Sequence, residues 1–398
     1  MKVAFLRTAF GREGVGTVTN TTAKLFHDKG IEVCYIVQYF WGQWEPPFEG
    51  LEIHYLPNKR RFESQANKEA LYKIVREEGI DVIFAPIWQP FFNNKDREHL
   101  GNCKLVWWIH NLPYWEWYQV VYKMKASPLS VSKLWYNLFR KHRYEKSDAK
   151  LNQIKEQYKK NIQLYDKTIV LSKFYKEQLE NDLNLTNKEK DSIIVATNTA
   201  DTSFEVDASQ TDKEDLVIFM GRLDNTQKRI YLLLEIWAII ESKLPKSWHL
   251  QIWGGGDAEE VLKQLADKLR LSRIQFCGST SDPMSVYKRA KIICFTSAFE
   301  GWPMTILEAQ QQGVIPISFD SFEAIYEMIG KDKQYGRIVS NNNLKEFADK
   351  LEELCTNDQL QQEIISRLPE KCNDYAPNIN NQRWEKLFSD LLGINIKF

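Results

Sequence analysis

The stretch Ser297-Ala298-Phe299-Glu300-Gly301-Trp302-Pro303-Met304-Thr305-Ile306-Leu307-Glu308-Ala309 sets two glutamates across a Gly-Trp-Pro turn that runs into an amphipathic helix. Pro303 suits the first helical position, because its fixed φ is helical and the N–H it lacks would have no intrahelical partner there. Glu300 and Gly301 then fall in the loop, and the helix opens beside them. Free backbone N–H groups and the positive end of the helix dipole converge at that opening, so it can hold an anion. A nucleotide diphosphate carries such a charge and could be neutralised there without a metal ion. Glu308 lies more than a turn inside the helix, so the two carboxylates cannot face each other as a hydrolase acid and base; they reach different parts of one long ligand.

Upstream, Val217-Ile218-Phe219-Met220-Gly221-Arg222-Leu223 reads as a buried strand running into a turn; Lys228 follows, and then a helical run from Leu232 to Trp237. Between these two elements lie Gln251-Ile252-Trp253-Gly254-Gly255-Gly256-Asp257 and Ile274-Gln275-Phe276-Cys277-Gly278, two further strand-to-glycine pieces. At the other end of the chain, Met1 to Leu6 is a strand leading to Gly11, Gly14 and Gly16. A helix through Ala23, Leu25 and Phe26 follows, stops at Gly30, and gives way to a strand from Ile31 to Val37. Strand, Gly-rich loop, helix and strand in that order open a Rossmann-like domain. Gly-x-Gly alone is a weak sign of a dinucleotide cofactor, and the best charge-matched phosphate site lies in the second half.

Four such pieces in this order resemble the retaining glycosyltransferases of family 4 (glycosyl transferases group 1), whose Glu-x7-Glu signature is matched by Glu300 and Glu308. The resemblance implies the GT-B fold: α/β, two Rossmann-like domains with parallel sheets facing across a cleft, and a C-terminal helix packing back on the first domain. It implies that Arg222, as a planar fork, and Lys228, as a point charge, hold the donor diphosphate. The helix start at Trp302, Pro303 and Met304 would share that task, with Gly221, Gly301 and Thr305 in the same donor-binding set. Glu300 would bind hydroxyls of the transferred sugar and Glu308 those of the ribose. Gly14 and Gly16 would bring side-chain-free backbone to the donor phosphate, although the family's glycine pair here reads Glu13-Gly14. His110 ends a strand that begins at Leu105, where the family has a histidine near its acceptor side, and would orient the sugar or the acceptor hydroxyl. Asp166 to Phe174 and Ile193 to Asp201 resemble the last strands before the interdomain linker, with Thr197-Asn198-Thr199 in place of the usual Pro-Asn-Gly.

The implied activity is metal-independent transfer from a nucleotide diphosphate sugar, a uridine diphosphate sugar by the family's habit, to a glycan or lipid-linked acceptor in surface polysaccharide biosynthesis. Two other readings stand beside it: a sugar-nucleotide epimerase, which would turn over donor without acceptor, and a non-catalytic sugar-nucleotide-binding subunit. The residues 1–205 are expected to form the acceptor domain, 206–378 the donor domain and 379–398 the returning helix. The polar stretch from Asp201 to Glu214 marks the boundary.

Composition agrees with this class. The 398 residues are enough for two α/β domains with separate cores. Lys+Arg and Asp+Glu are equal at 53 each, which argues against nucleic acid as a partner. The distribution is uneven: from Val121 to Lys160 the chain is basic, after an aromatic run of Trp107, Trp108, Tyr114, Trp115, Trp117 and Tyr118. Val131, Leu134, Trp135, Leu138 and Phe139 recur there at helical spacing, so residues 113–160 could lie on a membrane surface. The six cysteines show no paired spacing, the N-terminal strand has no cleavage pattern, and no apolar run is long enough to span a bilayer. The expected location is cytoplasmic, at the inner face of the membrane if the basic segment makes contact. No Asp-x-Asp pair occurs and the histidines do not cluster with cysteines, so no metal cofactor is expected.

Overall fold

The structure, a computed structural model, describes residues 1–10, 14–40, 44–87, 91–125, 149–198 and 213–398. The chain separates into two compact units. One comprises Met1–Pro113, Gln153–Asn198 and Asn378–Phe398; the other comprises Tyr114–Asn152 and Thr199–Pro377.

The first unit is built on a sheet of seven strands: β1 (Lys2–Phe10), β2 (Glu32–Phe40), β3 (Glu52–Tyr55), β4 (Val82–Ala85), β5 (Lys104–Trp108), β6 (Lys167–Val170) and β7 (Ile193–Val195). Their order is β3-β2-β1-β4-β5-β6-β7 and every pairing is parallel. Parallel strands are covered on both faces, which is why Val3 to Leu6 and Val82 to Ala85 are apolar without alternation and wholly buried. The first helix spans Gly14–Asp28, so Gly14 and Gly16 lie in its opening turn and not in a preceding loop; Gly11 and Glu13 fall outside the described residues.

The chain's last helix, Pro377–Leu392, belongs to this first unit. Trp384 stands edge-on to Phe26 at 5.3 Å and to Trp108 at 5.6 Å, and Phe388 edge-on to Phe26 at 5.3 Å. Arg383 donates from Nη1 to Thr197 Oγ1 at 2.8 Å, and the Asn380 amide donates to the Thr197 carbonyl. The return of the C-terminal helix to the first domain, expected above, is thus present as packed aromatic surface.

The second unit has six parallel strands, β8 (Leu216–Met220), β9 (His249–Trp253), β10 (Ile274–Gly278), β11 (Ile292–Phe295), β12 (Ile315–Phe319) and β13 (Arg337–Val339), in the order β10-β9-β8-β11-β12-β13. Its core runs under the helix Ile230–Ile240, whose Leu233, Leu234, Ile236 and Trp237 are fully buried. In both sheets the order reverses beside a central strand, at β1/β4 and at β8/β11. Loops leaving the carboxyl ends of the strands at such a switch point part to opposite sides and leave a crevice.

Tyr114–Asn152 clusters with the second unit although it lies within the sequence range 1–205. Tyr114, buried and at φ 61°, turns the chain into a helix over Trp115–Lys125. The apolar positions Val131, Leu134, Trp135, Leu138 and Phe139 of the basic segment lie outside the described residues. Among the described residues no helix is long and apolar enough to cross a membrane. All six cysteines are free, and burial pushes the Cys34 and Cys103 thiols up to about 12.

Candidate functional site

Strands β8 and β11 are neighbours, pairing Val217 with Ile292 and Ile218 with Ile293, so the loops that follow them leave the sheet side by side. This brings the segment after Gly221 against the segment before Pro303. Lys228 Nζ donates to Glu300 Oε1 at 2.6 Å across 72 residues of sequence, with both side chains largely buried. The second carboxylate oxygen, Oε2, accepts from Gln227 Nε2 at 3.2 Å, and the same amide nitrogen reaches the Phe299 carbonyl at 3.2 Å. On its other side Gln227 accepts from Arg222 Nη2 at 3.2 Å. Arg222 is itself exposed and grips Asp224 with Nε at 3.1 Å and Nη2 at 2.8 Å. Asp224 Oδ1 accepts from the Thr226 and Gln227 backbone N–H groups at 2.8 Å each, a local turn that seats Gln227. Arg222, Lys228 and Glu300 therefore form one chain of hydrogen bonds.

The glycines around this loop are required by close approach. Gly221 has φ 153° and Gly254 φ 132°, both in the left-handed half of backbone space. The Gly254-Gly255-Gly256 turn after β9 lies directly on the Gly221–Leu223 turn, the Leu223 N–H donating to the Gly255 carbonyl at 2.9 Å.

The helix after Glu300 begins at Met304 and ends at Gln311, with Pro303 just before it at φ −67° and ψ 106°. Pro303 is thus the residue preceding the first turn, one position earlier than the sequence implied, because its ψ is extended and not helical. No side chain caps this helix start. Ile306, Leu307 and Ala309 are buried, while Met304, Thr305 and Glu308 share the half-buried side. Glu308 Oε2 accepts from the Tyr287 hydroxyl at 2.9 Å; burial raises its carboxyl above the usual glutamate range, and the Tyr287 bond opposes this. Gly301 is buried, and the Trp302 ring is buried edge-on against Tyr375 at 5.3 Å.

His110 belongs to the first unit, two residues past β5. Its ring lies 4.3 Å from that of Trp108, and neither ring nitrogen has a hydrogen-bond partner among the described residues. Burial, helped by the charge of Arg7, depresses it to about 3, so the imidazole is neutral at physiological pH.

Arg229 escaped the sequence reading. It is buried, 2% exposed, and adopts φ 50°. Nε donates to the Thr296 carbonyl at 2.7 Å and Nη2 to the Ser297 carbonyl at 2.8 Å, while Asn342 and Asn341 accept from Nη1 and Nη2 at 2.7 and 3.1 Å. Gln227, Asp224 and Tyr287 were missed as well; only their positions in the fold place them beside Glu300, Arg222 and Glu308. Among the described residues, one group of three side chains has metal-ligand spacing, Glu52, His54 and Glu78 in the first unit. Lys2 Nζ already donates to both of its carboxylates, at 2.5 and 2.6 Å.

Two parallel sheets of this topology, with cations and carboxylates gathered at the carboxyl ends of β8 and β11, define the class: a two-domain glycosyltransferase fold of the GT-B type. The chain is a family-4-like glycosyltransferase, matched in each half by one of two family models. The family model Glycosyl transferases group 1 matches residues 201–371 and the model Glycosyltransferase Family 4 matches residues 12–204. The chain is similar to the GalNAc-alpha-(1->4)-GalNAc-alpha-(1->3)-diNAcBac-PP-undecaprenol alpha-1,4-N-acetyl-D-galactosaminyltransferase of Campylobacter jejuni, 27% identical over 183 residues, which are 46% of this chain and 50% of that protein. The match thus spans about half the length of this relative. Among solved structures, the apo form of the lipopolysaccharide outer core galactosyltransferase WaaB aligns with a TM-score of 0.68 at 18% identity over 99% of both chains. HepE of Anabaena, in complex with UDP-glucose, aligns with a TM-score of 0.70 at 15% identity over 98% of this chain and 100% of that one. At these identities the two structures speak for the fold.

Proposed function

We propose that this chain is a retaining, metal-independent glycosyltransferase that moves a sugar from a nucleotide diphosphate sugar, specifically a UDP-sugar, to a glycan or lipid-linked acceptor in surface polysaccharide biosynthesis. The observation that carries the reading is the Lys228–Glu300 pair at 2.6 Å, linked through Gln227 to Arg222 and set beside an uncapped helix start. A diphosphate arriving there offers Lys228 a doubly charged partner in exchange for Glu300, and Arg222 swings on an exposed arm within reach of the same anion. Glu300 in turn accepts hydrogen bonds from hydroxyls of the transferred sugar. As the glycosidic bond breaks, negative charge grows on the leaving diphosphate, and prearranged cations and helix N–H groups stabilise that change. Glu308, four residues into the helix, takes the ribose hydroxyls. His110, neutral and with uncommitted ring nitrogens, orients a sugar or acceptor hydroxyl. The UDP and UDP-glucose found with HepE, and the undecaprenol-linked acceptor in the name of the Campylobacter relative, support the donor and acceptor classes.

A thermal-shift series with UDP, GDP, ADP and their sugar conjugates, with and without EDTA, tests this directly. A chelator-resistant rise in Tm with one nucleotide class is expected, since a ligand that binds only the folded state stabilises it. Loss of the shift in EDTA removes the metal-free site. Consumption of donor with no acceptor present, yielding an isomeric sugar nucleotide, moves the reading to an epimerase; tight binding with no turnover moves it to a non-catalytic subunit.

A further inference from the structure

A buried arginine normally has a carboxylate beside it, because an unpaired charge is costly to desolvate. Arg229 has none among the described residues. Its hydrogen bonds go to two backbone carbonyls and two asparagine amides, and its guanidinium lies 5.5 Å from the Tyr122 ring centroid and 5.4 Å from that of Phe319. It also sits at φ 50°, a conformation that costs a side-chain-bearing residue about 1 kcal/mol or more. An isolated buried charge in strained backbone persists where the surroundings hold it in place, and what this one holds is specific. The carbonyls are those of Thr296 and Ser297, in the loop that ends at Glu300. That loop is tied back by the Thr296 hydroxyl donating to the Lys228 carbonyl at 2.9 Å and by the Ala298 N–H donating to the Gln227 carbonyl at 2.6 Å. Tyr122 and Tyr118, one turn apart on the helix Trp115–Lys125, each place a ring 6.1 Å from Phe299, the residue before Glu300.

We infer that Arg229 is a positioning residue that registers two separate pieces of the second unit against Glu300: the loop Thr296–Glu300, through its planar fork, and the helix Trp115–Lys125, through the face of Tyr122. The inference rests on the transferase reading for its kinetic consequence, but the coupling itself does not. Loss of the fork leaves Lys228, Arg222 and the helix start at Met304 in place, so nucleotide binding is retained. The carboxylate that must meet the transferred sugar loses its fixed position, and misplacement by about 1 Å can cost on the order of 100-fold in the chemical step. Lysine cannot replace the arginine, because one ammonium cannot span two successive carbonyls and lie flat on a ring.

The test uses the full chain with Arg229→Lys, Tyr122→Leu and the double variant, read in two ways. In donor kinetics, Arg229→Lys and Tyr122→Leu each lower kcat by about tenfold or more with donor KM within about twofold, and the double variant is little worse than either single one. In hydrogen exchange, Tyr122→Leu speeds exchange of the hydrogen-bonded Ala298 amide, and Arg229→Lys speeds exchange in both Ala298–Gly301 and Trp115–Lys125. Unchanged kcat, losses that add fully in the double variant, or a loop whose exchange ignores Tyr122 overturns the inference. If Arg229→Lys does not fold, Tyr122→Leu alone decides by both readouts. If wild type binds and turns over no sugar nucleotide, the proposed function falls, while the exchange experiment still decides the coupling.

Discussion

A Cβ placed on Gly254 would lie 1.9 Å from the carbonyl oxygen of Gly221, and one on Gly256 would lie 2.4 Å from that of Leu223. The turn after β9 therefore serves as a floor for the Gly221–Leu223 turn, with no room for even a methyl group. Gly254→Ala must push two backbones apart as well as adopt φ 132°. We expect it to lower stability by about 2–4 kcal/mol in chemical denaturation, the sum of overpacking and backbone strain. It should also weaken nucleotide binding, because Arg222 leaves the sheet on the displaced turn.

Breaking the Lys228–Glu300 pair from its two sides should give different results. Lys228→Met removes the cation that donates to the largely buried Glu300 carboxylate, and a loss of about 2–3 kcal/mol in unfolding free energy is expected. Glu300→Gln preserves shape and an acceptor for Lys228 but removes the charge and turns the acceptor facing the Gln227 amide into a donor, so its stability loss should be the smaller, about 1 kcal/mol, while kcat for sugar transfer falls about 100-fold. Equal stability losses in the two variants, or wild-type transfer by Glu300→Gln, would contradict this arrangement.

Burial depresses His110 to about 3 against an ordinary value of 6.5. A base whose folded pKa lies below its unfolded pKa is protonated first in the unfolded chain, so its contribution to stability is full above pH 6.5 and is lost as pH falls toward 3. At pH 5 the difference is about 2 kcal/mol. His110→Phe should accordingly flatten the fall in Tm of the first unit between pH 6.5 and 4.5; a slope identical to wild type would show that His110 is not buried neutral.

Glu308 carries the opposite sign. Its carboxyl is raised by burial, so what it contributes to stability is present below the ordinary glutamate pKa and is lost as pH rises through the folded value. Glu308→Gln should gain in Tm relative to wild type between pH 4 and pH 7, measured without nucleotide. Tyr287→Phe removes the hydrogen bond that opposes the shift and should move the pH at which nucleotide binding appears upward.

Trp384 fixes the C-terminal helix to the first unit through Phe26, Trp108 and, at 6.1 Å, Phe84. Truncation to alanine removes a ring that is 3% exposed and should cost about 3–5 kcal/mol, visible as an early unfolding transition of the first unit in calorimetry.

Much of the second unit could be read directly from the chain. Buried parallel strands are continuous apolar runs, so Leu216–Met220 and Ile292–Phe295 announce themselves, and Gly221 marks the end of the first. The spacing of Glu300 and Glu308 around Pro303 told where a helix starts, to within one residue. These are local matters: periodicity, a fixed φ, a missing N–H. Which loop meets which is not local. The contact between Lys228 and Glu300 exists because β8 and β11 pair side by side, and strand order is decided by how two layers of helices cover a sheet. Arg229 looks in sequence like one more cation after Lys228; its burial, its carbonyl partners and its Tyr122 neighbour come from three distant segments that only the folded unit assembles. By itself the sequence determined the elements, the fold class and the residue types able to handle an anion. The tertiary structure decided which of those residues touch, because contact depends on long-range packing of side chains whose burial no short stretch of sequence encodes.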